Sequence, residues 1–566
     1  MLVHLSLLLV LAPRAVHGQA LPGTTDSCDG RLVTAIEITP RDPSSLELPP
    51  GLDWVAGAVG LLHDTSSPGA IESFLLLEVG EPCTEVSRAE SERILRAQSF
   101  LADATVRAVP DSSDGVRIEV ETVDETAVVF GMGFRGLKPE SIRFGNDNVG
   151  GQGLSVAAWV DRGFSYRTGL GIRAAASQVF GRPYRGQARA ERATLGSELR
   201  VELGHPFFTD LQRTGWHMGF GDERRFTSHL RPVGEEISLE VRRRFWDVGI
   251  VRRIGVGRYS AFAGGLLTRE SVIPGSRPVI VSDSGLVAVE DAALGGPFPA
   301  YRNLRVNGVL GVRALSFMPV RGFDAVEAVQ DVAVGAQLGV LLGRGIPEFG
   351  DDEKDWFIST NLYGGLGSPR SFPAVRIEGE ARRDAESSRW ESMVVSGRLA
   401  WYLKPAPSRI VIGSLELGGA WRQRLPVQLA LGDRGGGVRG YADSRVAGAV
   451  RSVARLEGRW TLDGFGERAA VGIAGFADAG RVWAGGAPFG VDSPTKVGVG
   501  IGLLVAVPAR SQRHWRLDVA LPVSADPHAG WEIRVSRVGS PAFWREPKDV
   551  AHARAGAAPS RIFTWP

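Results

Sequence analysis

From about Thr126 onward the chain keeps a hydrophobic period of two for some four hundred residues, and that alternation limits what it can become. Val128, Phe130, Met132 and Phe134 share one face, with Gly131 and Gly133 on the other. Late in the chain Val497, Val499, Ile501, Leu503, Val505 and Val507 oppose Gly498, Gly500 and Gly502. Trp515, Leu517, Val519 and Leu521 oppose Arg516 and Asp518, and Trp531, Ile533 and Val535 oppose Glu532 and Arg534. Alternation of this kind predicts strands. After residue 20 no stretch approaches the ~18 uninterrupted apolar residues of a membrane-spanning helix. If this chain crosses a bilayer it must do so as a closed sheet, because hydrocarbon leaves no backbone group unpaired.

The second face separates two kinds of all-β protein. A soluble sandwich hides its apolar face and wets the other. In this chain the polar faces mix charges of both signs with glycine, and Trp401, Tyr402, Trp421, Trp460, Trp483, Trp515 and Trp531 fall near predicted strand ends. That is the pattern of a barrel with a lipid-facing wall, a polar lumen and aromatic girdles. Residues 126–540 divided among sixteen strands allow ~26 residues each, enough for a ten-residue strand and its connection. The expectation is a mainly β chain with a 16-stranded antiparallel transmembrane barrel, a large soluble all-β fold being the alternative.

Composition removes other classes. The 73 Gly follow no three-residue period, and 65 basic against 63 acidic residues, interspersed along the chain, leave no basic face for nucleic acid. Leu5 to Ala12, Pro13 and the small residues Gly18 and Ala20 predict a secretory signal over residues 1–20. The only thiols, Cys28 and Cys83, then enter an oxidising space, where they either form one bridge or stay as two small buried residues.

Residues 31–125 read as a small α+β domain. Leu32–Ile38 alternates as a strand, and Ser67-Pro68 opens a helix with Ile71, Phe74 and Leu75 on one face and Gly80 as its stop. Ser87 and Glu90 are spaced as a capping box for a second helix, with Ile94 and Leu95 inward. Ala104–Val109 and Val116–Val123 form a hairpin about Pro110–Gly115.

Within the alternating region, Gly432-Asp433-Arg434-Gly435-Gly436-Gly437-Val438-Arg439-Gly440-Tyr441 breaks the period with glycine and sets one arginine among small residues. Phe476-Ala477-Asp478-Ala479-Gly480 follows two strands later. Together these resemble the BamA/TamA superfamily of outer-membrane assembly and translocation proteins. There a Val-Arg-Gly-Tyr or Val-Arg-Gly-Phe tip of the sixth outer loop folds into the barrel, and its arginine pairs with the aspartate of a Phe-x-Asp-x-Gly strand. Ile71 to Asp124 resembles the polypeptide-transport-associated (POTRA) domain that precedes such barrels, and Gly145–Gly150 the turn that often opens them.

Counting by twos supplies an independent reading of the same residues. It places Arg451, Arg455, Glu457 and Arg459 on the lumen face with Leu456 and Trp460 toward lipid, and Asp478 inward beside Phe476 and Gly472. A plain wall network of these charges is one possibility. The other is a loop lock made of Val438, Arg439, Gly440, Tyr441, Phe476, Asp478 and Gly480, with Glu457 a second partner. An arginine suits two-point pairing with a carboxylate.

The resemblance implies assembly, insertion or translocation of unfolded outer-membrane or secreted client polypeptides in the outer-membrane bilayer of a Gram-negative cell. The small domain would lie in the periplasm, where periplasmic or lipoprotein partners could join. The site would be a weak lateral seam between first and last strands, bearing Phe130, Gly131, Gly133, Trp531 and Ile533. No cofactor, metal or nucleic acid is implied. An enzyme is not expected, since the seven His beyond the signal show no His-x-x-x-His spacing and no Gly-x-Ser-x-Gly elbow occurs. A passive outer-membrane solute pore is the alternative function. The polar tail 541–566 is expected as a solvated extension, or else Ile562, Phe563 and Trp565 provide the terminal aromatics that such barrels usually carry.

Overall fold

In the computed structural model, residues 28–43, 64–111, 114–135, 138–162, 168–193, 195–255, 259–282, 285–291, 293–294, 298–347, 354–432, 436–539 and 546–554 are described. The predicted signal, Asp433, Arg434, Gly435, Ile562, Phe563 and Trp565 lie outside them.

The alternating sequence forms one closed ring of antiparallel strands from Val128–Arg135 to Glu532–Gly539. Twenty-two strands belong to it; two of them, Val279–Ser282 and Gly285–Ala288, are a hairpin off the wall, bypassed by direct pairing of Tyr259–Pro274 with Tyr301–Arg321. The wall therefore has about twenty strands and not sixteen. The difference arises because a uniform allowance per strand overestimates the connections. Several are tight, such as those between Ala193 and Gly196 and between Ala406 and Arg409.

The predicted inside–outside assignment is the one observed. Leu456, Trp460, Ile473, Ile501, Leu503, Leu517, Leu521, Ile533 and Val535 are exposed on the outer wall, as are Trp401, Trp421 and Trp531. Arg451, Glu457, Phe476, Asp478, Arg516 and Asp518 are buried inside it. Tyr402 departs from its expected place in an outer girdle. It faces inward, stacks on Phe323 at 4.8 Å and donates to Asp324 Oδ1 at 2.8 Å, because its even-numbered position lies one step off the outward register of Trp401.

The small domain is a four-stranded sheet flanked by two helices. Asp29–Arg41 lies between Pro82–Thr84 and Val116–Asp124, parallel to the latter, and Leu101–Pro110 forms the other edge. Helix Glu85–Arg96 starts one turn earlier than the capping box suggested. Thr84 is the cap, accepting from Ser87 N through its hydroxyl. Ile71, Phe74, Ile94, Leu95, Val106 and Ile118 form the core. Cys28 and Cys83 are bonded and join the first strand to the edge strand.

The domain covers the barrel rim at which the chain enters the wall, here the near rim. Phe208, from the connection between Gly196–His205 and Thr214–His229, enters the domain core. Arg96 meets Asp331 in a two-point pair at 2.9 and 3.0 Å, and Thr209 donates to Glu90 at 2.7 Å. Glu125, at the junction, accepts from Ser511 Oγ and Gln512 N at 2.8 and 2.9 Å. Gly145–Val149, expected as a turn, is instead the end of strand Lys138–Val149; the turn follows at Gly150, Gly151 and Gly153, all at positive φ. Asn148 ties it to the domain through Ser66 Oγ at 2.9 Å.

Candidate functional site

The loop between strands Arg409–Trp421 and Val450–Leu462 leaves the far rim and folds inward. With four more strands than expected, it is the eighth far-rim connection and not the sixth. A two-residue ladder, Leu429–Ala430 with Ala447–Gly448, narrows its stem. Beyond the stem, Leu431, Val438 and Tyr441 pack on wall residues Val453 and Val482. That apolar pad sets the depth at which the next residue, Arg439, enters the lumen.

Arg439 meets Asp478 in a two-point pair, with Nε and Nη2 each 2.8 Å from a carboxylate oxygen. Its Nη1 donates to Glu457 at 3.3 Å and lies 3.8 Å from Asp518, and its guanidinium sits 3.5 Å from the Phe476 ring centroid. The pattern at Phe476 and Asp478 thus has a geometric basis. Two inward positions on one strand supply a face for the planar cation and a fork for its edge.

Glu457 is not a spare partner. It takes both Nη atoms of Arg516 at 2.8 Å and Nε of Arg459 at 2.6 Å, while Arg516 also binds Asp518 through Nε at 2.8 Å. Arg439, Arg459 and Arg516 with Asp478, Glu457 and Asp518 therefore form a compact cluster, bordered by Arg534 at 3.4 Å from Asp518. Burial of single charges is costly, and a cluster of this kind is tolerated because each member has a partner. The wall network and the loop lock, read from the sequence as alternatives, are one structure.

Glycines make the room. A Cβ at Gly498 would lie 2.1 Å from the Arg439 carbonyl oxygen, and one at Gly480 would lie 2.4 Å from Val438 Cγ2. Gly440 takes φ +88°, a conformation open to glycine, and its N–H donates to Glu532 Oε2 at 3.0 Å. Tyr441 places its hydroxyl 2.9 Å from Val497 O and 2.8 Å from Ser524 O, and accepts from Ser524 N at 3.0 Å. Arg455 donates to the carbonyls of Gly436 and Gly437 at 2.6 and 2.9 Å.

Arg516, Asp518, Arg455 and Glu532 were legible only as polar-face residues. Their roles depend on which strand lies beside which, and the alternation is silent on that. The signal that could have found Glu532 is its position beside Trp531, at the loop end of the last strand.

The seam closes between Val128–Arg135 and Glu532–Gly539, which are hydrogen-bonded neighbours in the ring. Phe130, Trp531 and Ile533 are exposed on its outer face, with Trp531 one residue before the strand. Gly131 faces inward beside Arg143, and Gly133 pairs with Ser141. At the near rim Arg537 reaches across to the carbonyls of Thr126 and Val128 at 3.3 and 3.5 Å, and to Asp147 at 3.5 Å. The last strand thus touches the loop at one end through Glu532 and the first strand at the other through Arg537.

No family model and no curated protein matches the chain. Among solved structures it is similar to BamA from Haemophilus ducreyi lacking POTRA domains 1–3, with 12% identity, 90% of this chain and 84% of that one covered, and a TM-score of 0.39. It is also similar to CdiB from Acinetobacter baumannii, with 10% identity, 90% and 73% covered and a TM-score of 0.37. CdiB from Escherichia coli gives 10% identity, 93% and 92% covered and a TM-score of 0.34.

Proposed function

We propose that the chain is an outer-membrane barrel of BamA/TamA type that inserts or translocates other polypeptides. The observation that carries this reading is the Arg439 cluster. It holds an inward-folded loop against the last strand, through Gly440 and Glu532, beside the place where the ring closes. A loop fixed across the lumen narrows any passive path through it. A machine that parts its wall has a use for such a loop, because the loop braces the ring while the seam works.

In this reading the small domain is POTRA-like and periplasmic, and extended clients add strands to its sheet edge through backbone bonds. They pass to a seam between Val128–Arg135 and Glu532–Gly539, where Gly131 and Gly133 weaken strand pairing. The work is mechanical, and no cofactor enters it. Between the domain and the wall lies a cavity of about 870 Å³ lined by Gln98, Val129, Gly131, Arg143 and Arg537, placing the domain, the lumen and the seam side by side.

The test is depletion followed by comparison of the outer-membrane proteome. Loss of many barrels is expected for insertion, and loss of one surface protein for dedicated export. An unchanged proteome, together with steady large conductance of the purified protein, would overturn the reading.

A further inference from the structure

The described part of the tail, residues 546–554, does not stay in solvent as expected from the sequence. Helix Lys548–Ala553 lies inside the barrel, where Val550 is buried against Val394, Ala420 and Leu429. Asp549 accepts from Arg451 Nη1 and Nη2 at 2.5 and 3.1 Å and from the Ala430 N–H in the loop stem at 3.0 Å. Arg554 donates to Glu378 at 3.0 Å and to Glu546 at 2.7 Å. Pro547 packs so closely on Gly436 that a Cβ there would lie 2.6 Å away.

The placement is specific in two ways. Gly539 is at the near rim, paired with Arg513, whereas Val394 and Ala420 lie close to the far ends of their strands. Ten residues separate Gly539 from Asp549, enough for an extended chain to cover at most about 35 Å. Helix Lys548–Ala553 is therefore held toward the rim opposite to the one at which the last strand ends. The site also offers a matched set of groups, with an apolar floor, a cation at Arg451 and a carboxylate at Glu378.

We propose that residues 546–554 are a removable internal plug that staples the inward loop by its stem and closes the lumen until displaced. Removal takes Arg554 away from Glu380, 3.9 Å off, but leaves the other two wall groups hydrogen-bonded. Arg451 keeps Glu416 at 3.1 Å, and Glu378 keeps Asn361 at 2.6 Å. A permanent structural tail has no need of such second partners. A plug that leaves and returns does, because an unpaired buried charge would hold it in place. The contacts lie on the loop stem, apart from the Arg439 cluster, so the plug and the loop lock are separate elements.

The test uses the full-length protein and two variants, one ending at Gly539 and the other Asp549→Ala, each checked for heat-modifiable mobility as folded barrel. In planar bilayers wild type is expected to be mostly closed and the truncated barrel to conduct severalfold more often. Asp549→Ala should shift the plug toward release by about tenfold, the loss of its charge-assisted bonds to an Arg451 that still keeps Glu416. A synthetic peptide of residues 541–566 should close the truncated barrel again. Folded truncated barrel with wild-type conductance, or no response to the peptide, would overturn the plug while leaving the assembly reading to its own proteome test. If neither variant folds, adding the same peptide in excess to wild type decides. A plug in exchange yields fewer openings, and no change refutes it.

Discussion

Replacing Arg439 with alanine removes a cation from a set of carboxylates that do not suffer equally. Glu457 keeps Arg459 and Arg516, and Asp518 keeps Arg516. Asp478 loses both of its 2.8 Å guanidinium bonds and retains the Arg439 backbone N–H at 3.3 Å. It is 1% exposed. Leaving one partner of a buried pair uncompensated costs roughly 3–5 kcal/mol, and the lower figure suits a lumen lined with other polar groups. At 1.4 kcal/mol per decade, ~3 kcal/mol shifts the loop from docked to undocked by about a hundredfold. Native-state hydrogen exchange of a peptide spanning 429–448 reads this directly, because amides such as Val438 N, bonded to Leu431 O at 2.8 Å, exchange when the loop leaves. The barrel itself should remain folded. The double variant Arg439→Ala, Asp478→Ala should recover part of the loss, since the orphaned charge is gone. Loop exchange equal to wild type in the single variant, or no recovery in the double one, refutes the lock.

Two further predictions concern other parts of the molecule. Gly498→Ala should undock the loop with Arg439 and Asp478 both intact, at a cost of ~1–3 kcal/mol, because the new methyl meets the Arg439 carbonyl oxygen at 2.1 Å. Gly413→Ala, with nothing within 4 Å, is the control; equal loop exchange in the two would contradict the close-approach account. At the domain junction, burial pushes the Glu125 carboxyl above its ordinary value despite the nearby Arg513 and the Ser511 bond. A raised folded pKa contributes stability that is full below the unfolded value and lost as pH rises through the folded one. Thermal stability in detergent should therefore increase as pH falls through that window, and Glu125→Gln should flatten the profile. A wild-type profile indistinguishable from that of the variant would remove Glu125 from the account.

Much of this was legible because a strand's period is short-range. Alternation alone placed Arg451, Glu457 and Asp478 inside and Leu456 and Trp460 outside, and glycine breaking the period marked the loop. What the alternation could not supply was adjacency and count. It placed Arg516, Asp518 and Glu532 on polar faces without showing that they meet Arg439, since those partners lie dozens of residues away and are set by register. The strand number failed for a related reason, because connection lengths are decided by local turn chemistry that an average conceals. The buried placement of residues 546–554 was hidden by their composition. Asp549, Arg554 and the flanking Pro547 read as solvated, and only a lumen already holding Arg451 and Glu378 makes them buried partners.

That the loop is held by charges and not by a larger apolar pad has a consequence for how it can move. The charges that dock it reach onto the last strand, so loop and strand are coupled. The last strand takes part in the cluster twice, through Glu532 at Gly440 N and through Arg534, 3.4 Å from Asp518. At its other end Arg537 holds the carbonyl of Val128 in the first strand and that of Thr126 just before it. An outward shift of this strand would therefore strain the loop contacts and the seam contacts together, and in the proposed mechanism parting the seam and releasing the loop occur as one event with two observable ends. If so, a cross-link joining the first and last strands should slow loop exchange in Arg439→Ala back toward wild type, without restoring the missing cation.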